Sequence, residues 1–228
     1  MIIPHSKQEL DIRIPRDVIN VGLKLSGGID SAIVGYILSK YVMEERPDVR
    51  ITPITVDQEG KAYQIQFAKT VIEYYKTVFG DIYTEHYTGF SPMPEAENYT
   101  KAQDEVTQRL YAENKIQFHF AGITANPPPG SIPQRIYDQG WTDPPDRGVS
   151  KFLKSIYVDS SRCLPLINFD KQNVSELYDY FDLQNTLFPL TRSCEWHNSN
   201  TFHAPNPGDG HCGQCWWCKE REWAFGRL

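Results

Sequence analysis

The chain has no apolar run long enough to span a bilayer, and its first residues, Met1 to Ser6, lack the charged and apolar regions of a secretory signal. Both absences lead us to expect a cytoplasmic protein with no membrane partner. A surplus of basic charge is missing too: the formal net charge of −6 disfavours a broad nucleic-acid footprint and suits a small-molecule substrate better. No internal repeat is evident, and neither the G-x-x-x-x-G-K-[ST] nor the G-x-G-x-x-G phosphate-binding pattern occurs. Cysteine is sparse and lopsided. Of five cysteines, four fall in the last 35 residues, an odd and clustered set that argues against a disulfide framework.

What is present points to alternating strands and helices in 228 residues, of which 40% are apolar, enough for an ordinary core. Val18 to Leu25 reads as a buried strand, and the spacing of Ile33, Val34, Ile37, Leu38, Tyr41 and Val42 predicts a helix over about 30–45. Ile51 to Asp57 reads as a second strand, with Pro53 suggesting a strand start or an edge. Ile65, Ala68, Val71, Ile72 and Tyr75 mark a second helix, Asp81 to Tyr87 a third strand, Ala102, Val106 and Leu110 a third helix, and Ile116 to Gly122 a fourth strand. Such alternation predicts an α/β fold, a Rossmann-like doubly wound parallel sheet, with ligands beyond the carboxyl ends of its strands. Ser26, Asp57 and Gly122 fall at such ends.

Between the first strand and its helix stands Ser26-Gly27-Gly28-Ile29-Asp30-Ser31. Two glycines allow a sharp turn and close backbone approach, and the amides of the loop and helix N-terminus present partial positive charge to an anion. Residues 126–150 are rich in proline and predict a substrate-covering loop, with a partly disordered excursion as the alternative. Asp170 reads as an N-cap, which puts Lys171 in a first helical turn; from the residues alone it reads as a solvated lysine, in a place where the helix dipole disfavours a cation.

Cys194, Cys212, Cys215 and Cys218 form C-x17-C-x2-C-x2-C. Two-residue spacers let successive thiolates close round one ion, so structural zinc is the favoured occupant; spacing alone admits an iron–sulfur cluster as well. His197, His203 and His211 read as loop histidines, and Cys163 as a small buried hydrophobe.

The S-G-G-x-D-S loop resembles the pyrophosphate loop of the ATP pyrophosphatase (PP-loop) family, whose fold is the adenine nucleotide alpha-hydrolase-like sheet. The run from His211-Cys212-Gly213 to Ala224-Phe225, with Ser193-Cys194 before it, is similar to the C-terminal signature of 7-cyano-7-deazaguanine (preQ0) synthases. The resemblance implies an ATP-dependent carbon–nitrogen ligase of queuosine-type deazapurine biosynthesis, in which 7-carboxy-7-deazaguanine is adenylated and converted by ammonia to the nitrile. It implies ATP, magnesium and zinc as cofactors and a homodimer as the habitual assembly. Carried onto this chain, Ser26, Gly27, Gly28, Asp30, Ser31, Asp57, Gly122 and Asn126 would bind ATP. Asp30, Lys171 and Arg192 would be catalytic, and the four cysteines would hold zinc. The division expected is a PP-loop domain over 1–187 and a zinc module over 188–228.

The middle of the chain departs from that family. Asp57-Gln58-Glu59-Gly60-Lys61 stands where the synthases carry Y-G-Q-x-H, and Pro145-Asp146-Arg147 is a faint echo of their Y-P-D-C-R segment. An adenylating enzyme for another deazaguanine, a small acid or a tRNA base is therefore the alternative of the same fold. A non-catalytic nucleotide-binding module is the alternative of another class.

Overall fold

The computed structural model describes residues 1–59, 63–92, 96–128, 130–132, 154–194, 211–213 and 215–228. In chain order its strands are β1 (Ile2–Ile3), β2 (Leu10–Asp11), β3 (Asn20–Lys24), β4 (Arg50–Gln58), β5 (Tyr87–Ser91), β6 (Phe118–Ala121), β7 (Tyr157–Asp159) and β8 (Arg162–Cys163). The helices are α1 (Ile29–Glu45), α2 (Gln64–Phe79), α3 (Ala96–Ala112), α4 (Lys171–Tyr180) and α5 (Trp216–Phe225). β1 and β2 form a small antiparallel ribbon, while the other six strands make one sheet in the order β5-β4-β3-β6-β8-β7. Only β7 runs antiparallel to its neighbour. The chain is thus the Rossmann-like α/β protein that the alternation predicts. Among the described residues no helix is long and apolar enough to cross a membrane.

Period-two alternation sorts the strand side chains onto two faces. Val21, Leu23, Ile51, Phe118 and Phe120 join the larger core under α1, α2 and α4. Ile54 and Val56 turn the other way and meet Val106 and Leu110 of α3. With helices on both faces the central strands are buried twice over, which is why β4 has one exposed residue in nine. α4 is held on α1 by the Tyr178 hydroxyl, which donates to the Ile29 carbonyl at 2.9 Å. α5 packs on α4 through Phe225, whose ring lies 5.4 Å from that of Tyr178.

Two expectations need correction. The third strand is Tyr87–Ser91, not 81–87: nine-residue β4 takes Tyr83 as an isolated bridge partner of Ile51, has no strand pairing over the next residues, then pairs with β5 from Ile54↔Tyr87 onward. Pro53 lies in an interior strand, opposite Leu23 of β3, not at a start or edge. The Ile51 N–H points to the β5 side, donating to Ile82 at 2.9 Å, so two residues on the missing Pro53 N–H falls in the gap between Tyr83 and Tyr87. The covering loop expected over 126–150 falls largely outside the described residues. Of its described part, Ile132 is buried against Trp216 of α5.

Candidate functional site

The turn from β3 into α1 depends on Gly27. Its φ of +77° is in the left-handed region, and a Cβ there would sit 2.4 Å from the Phe67 Cβ and 2.8 Å from the Ala68 nitrogen of α2. Glycine is needed for conformation and for closeness at once. The serines on either side brace the turn. Ser31 Oγ accepts from the Ser26 N–H at 3.2 Å and donates to the Gly28 carbonyl at 3.1 Å, while Ser26 Oγ accepts from the Gly28 N–H at 3.3 Å. Their hydroxyls thus shape the loop, and the anion-binding capacity rests on the α1 N-terminus, whose first amides have no intrahelical acceptor.

The other residues expected at the site arrive by three routes. Lys171 opens α4 behind Asp170, whose carboxylate accepts from the Gln172 and Asn173 amides at 3.0 and 3.1 Å as an N-cap. The lysine is buried and its ammonium is paired with Asp30 Oδ2 across 141 residues of sequence. The solvated alternative for Lys171 therefore fails. Asp30 Oδ1 is buried with no partner among the described residues, a free hard oxygen in the first turn of α1.

Arg192 reaches the loop by its backbone. Its N–H donates to the Gly27 carbonyl at 2.9 Å, and its own carbonyl lies 3.5 Å from the position a Gly28 Cβ would take. The guanidinium stacks over Tyr63, 4.4 Å from the ring centroid, and its Nη1 is buried without a partner among the described residues.

Gly122 and Asp57 serve the site indirectly. A Cβ on Gly122 would meet the Asp30 carbonyl carbon and the Ser31 nitrogen at 2.7 Å, so this glycine lets the end of β6 abut the first turn of α1. Asp57 Oδ1 accepts from the Ile65 N–H at 3.0 Å and tethers the start of α2. Burial pushes its carboxyl above the ordinary value. Half-buried Asn126 follows Ala125, whose N–H donates to the Phe169 carbonyl at 2.9 Å, beside the Asp170–Lys171 corner.

The four cysteines meet as their spacing predicts. Their sulfur atoms all lie within 4.8 Å of one another, with Cys212 and Cys218 at 3.8 Å. A single ion with metal–sulfur bonds of about 2.3 Å sets tetrahedral edges of about 3.8 Å. The group therefore fits one tetrahedral ion; a cluster with several irons between the thiolates would hold them further apart. Gly213, at φ +70°, makes the knuckle, and the Cys215 N–H donates to Cys212 Sγ at 3.3 Å.

His211 is no ligand here: its Nε2 accepts from the Ser193 N–H at 3.0 Å. His197 and His203 lie outside the described residues. Cys163 is buried, and burial pushes its thiol up to about 12. An open groove of about 930 Å³ beside Arg13, Tyr41, Arg46 and Tyr157 lies at the far end of α1 and touches none of these residues.

Two residues gain roles that motif reading does not assign. The Tyr63 hydroxyl donates to the Cys194 carbonyl at 2.6 Å. Arg221, 1% exposed, donates to Thr191 Oγ1 at 2.9 Å and to the Phe188 carbonyl at 3.0 Å. The signal for Arg221 was its i+3 spacing from Cys218, which puts both on one helix face; for Tyr63 there was none.

No protein-family model matches the chain, and no curated protein matches it. Among solved structures it is similar to the U34-tRNA thiolase NcsA from Methanococcus maripaludis with its 4Fe–4S cluster, at 18% identity and a TM-score of 0.46. The alignment covers 72% of this chain and 58% of that one, so this chain spans less than two thirds of that protein's length.

Proposed function

We propose that the chain is an ATP-dependent carbon–nitrogen ligase of the PP-loop type, which adenylates a substrate carboxylate and passes it to ammonia. One observation carries this reading. The Gly27–Gly28 turn, Lys171 and Arg192, far apart in sequence, converge on the N-terminus of one helix at the carboxyl end of a parallel sheet. A free amide row, a buried ammonium and a guanidinium with a spare donor suit the pyrophosphate portion of ATP.

The chemistry then follows from positioning and charge. The substrate carboxylate oxygen attacks the α-phosphorus, the bond from that phosphorus to the bridging oxygen breaks, and pyrophosphate leaves. Amides of the α1 first turn, Lys171 and Arg192 Nη1 hold the charge developing on it. Ammonia attacks the acyl carbon of the adenylate, expelling AMP and losing a proton to give the amide. A second ATP adenylates the amide oxygen with release of pyrophosphate, and departure of that oxygen with AMP and loss of the two N–H protons leave the nitrile. Asp30 orients the Lys171 ammonium, and its Oδ1 is the oxygen suited to magnesium, which would lower phosphate repulsion. Cys194, Cys212, Cys215 and Cys218 would hold zinc, a cross-link with no open position for catalysis.

The acid we assign is 7-carboxy-7-deazaguanine, on the resemblance of the terminal signatures. Incubation with that acid, magnesium ATP and ammonium, followed by mass spectrometry, tests the assignment. Equimolar AMP and pyrophosphate with the 7-cyano product is the expected result. AMP formed only with a different acid rejects the substrate and keeps the ligase. No nucleotide turnover with any acid leaves the binding-module alternative.

A further inference from the structure

The four-cysteine group and the anion loop share one stretch of backbone, residues 191–194. At Arg192 this stretch holds the loop, through its N–H to the Gly27 carbonyl at 2.9 Å. Two residues later Cys194 contributes its sulfur to the four-cysteine group. The Cys194 carbonyl accepts from the Tyr63 hydroxyl at 2.6 Å, and Tyr63 precedes the α2 turn on which Gly27 packs. Loop, α2 and the first metal-binding residue are thus one connected unit.

Arg221 adds a second tie, from the other side. It lies one turn beyond Cys218 on α5, the helix that Cys215 opens. Its Nη1 donates to Thr191 Oγ1 at 2.9 Å, to Ser193 Oγ at 3.3 Å and to the Thr191 carbonyl at 3.4 Å, and its Nη2 to the Phe188 carbonyl at 3.0 Å. The Phe188 ring lies 3.8 Å beneath the guanidinium. Every partner among these is neutral. A fully buried cation whose hydrogen-bond partners are all neutral is costly, and burial pushes this guanidinium down to about 10 against the opposing pull of Tyr178, Cys218 and Asp30. Four thiolates round a divalent ion carry two net negative charges one helical turn away, which offsets that cost.

We propose that occupancy of the four-cysteine centre sets the affinity of the anion loop for nucleotide, with Arg221 as the positioning residue that transmits it. Metal joins Cys194 to α5 and, through Arg221 and residues 188–193, fixes the donor that Arg192 presents to Gly27. Without metal the 191–194 stretch is freed, and ordering it becomes part of the cost of binding nucleotide. Linkage requires the reverse as well: nucleotide must tighten metal binding by the same factor. The inference rests on the reading of the loop as an ATP site.

The test uses the full-length protein with magnesium and α,β-methylene-ATP. Calorimetry compares nucleotide affinity in the zinc-loaded and chelator-stripped forms, and a chromophoric chelator measures zinc affinity with and without nucleotide. At least about a 5-fold change, equal in both directions, is expected, since couplings of this kind begin near that size. Thr191→Val keeps all four cysteines and removes one acceptor of Arg221, so it should shrink the factor. Should the stripped form unfold, the effect of nucleotide on zinc affinity in the loaded protein still decides. Equal zinc affinity with and without nucleotide overturns the proposal. A zinc-loaded protein that binds no nucleotide overturns it together with the ATP reading, whereas tight but zinc-independent nucleotide binding overturns the coupling alone.

Discussion

Replacing Lys171 with methionine removes one half of the ion pair on which the charge of the loop depends. The lysine side chain is 7% exposed and that of Asp30 19%. Without the ammonium, the Asp30 carboxylate keeps no strong partner, because Oδ1 has none to begin with. Breaking a buried pair from one side costs about 3–5 kcal/mol. Two features reduce that figure: Asp30 is partly exposed, and it sits in the first turn of a helix, where a negative charge is favoured by up to about 1 kcal/mol. The expected loss is about 2–3 kcal/mol. Asp30→Asn should cost a similar amount by stranding the ammonium. The double variant loses both charges together, so its loss should fall short of the sum by about 2 kcal/mol. Urea unfolding of the four proteins at neutral pH, read at the midpoint with m unchanged, gives the coupling. A coupling below about 0.5 kcal/mol would refute the claim that the two residues act as a pair.

Three other outcomes are expected. Gly122→Ala, at a position of ordinary backbone conformation, forces a methyl to 2.7 Å from the α1 backbone; stability should drop by about 1–3 kcal/mol and nucleotide affinity should fall, and unchanged affinity would contradict the abutment. Cys215→Ser should lose the metal and loosen α5, and elemental analysis of fresh protein should give about one zinc and no inorganic sulfide per chain; several irons per chain would contradict the tetrahedral fit.

The last concerns His119. The single Tyr111 proton goes to the Ser161 carbonyl at 2.8 Å, so Tyr111 accepts from His119 Nδ1 at 2.8 Å. Burial, with Lys24 and Arg162 nearby, pushes its value down to about 4. Between the unfolded value and 4, only the unfolded chain binds the proton, so stability falls with pH by about 2 kcal/mol from pH 7 to pH 5. Urea unfolding at both values should show His119→Gln with a flatter dependence; an unaltered slope would remove His119 as its source.

The legible parts of the site were those whose chemistry is local. Ser26 to Ser31 announces itself because strand, glycines and helix are contiguous, and the cysteines because two-residue spacers suffice to gather them. Lys171 needed tertiary structure to set the solvated reading aside: nothing near it in sequence foretells Asp30, 141 residues away. The same holds for Gly122, where only the approach of α1 explains the missing side chain. Asp57 sits at a strand end as expected, yet its bond to the α2 amide makes it a tether first. Pro53 misled because a missing N–H is harmless where the neighbouring strand is interrupted, and that interruption depends on how residues 84–86 leave the sheet.

The central claim is that the amides of the α1 first turn, Lys171 and Arg192 hold the pyrophosphate portion of ATP. A crystal structure with α,β-methylene-ATP and magnesium tests it most directly. The account predicts the β- and γ-phosphates against Gly28, Asp30 and Ser31, with Lys171 Nζ and Arg192 Nη1 within hydrogen-bonding distance. Phosphates bound elsewhere, with the Gly27–Gly28 turn bare and Lys171 still committed to Asp30 alone, would contradict it.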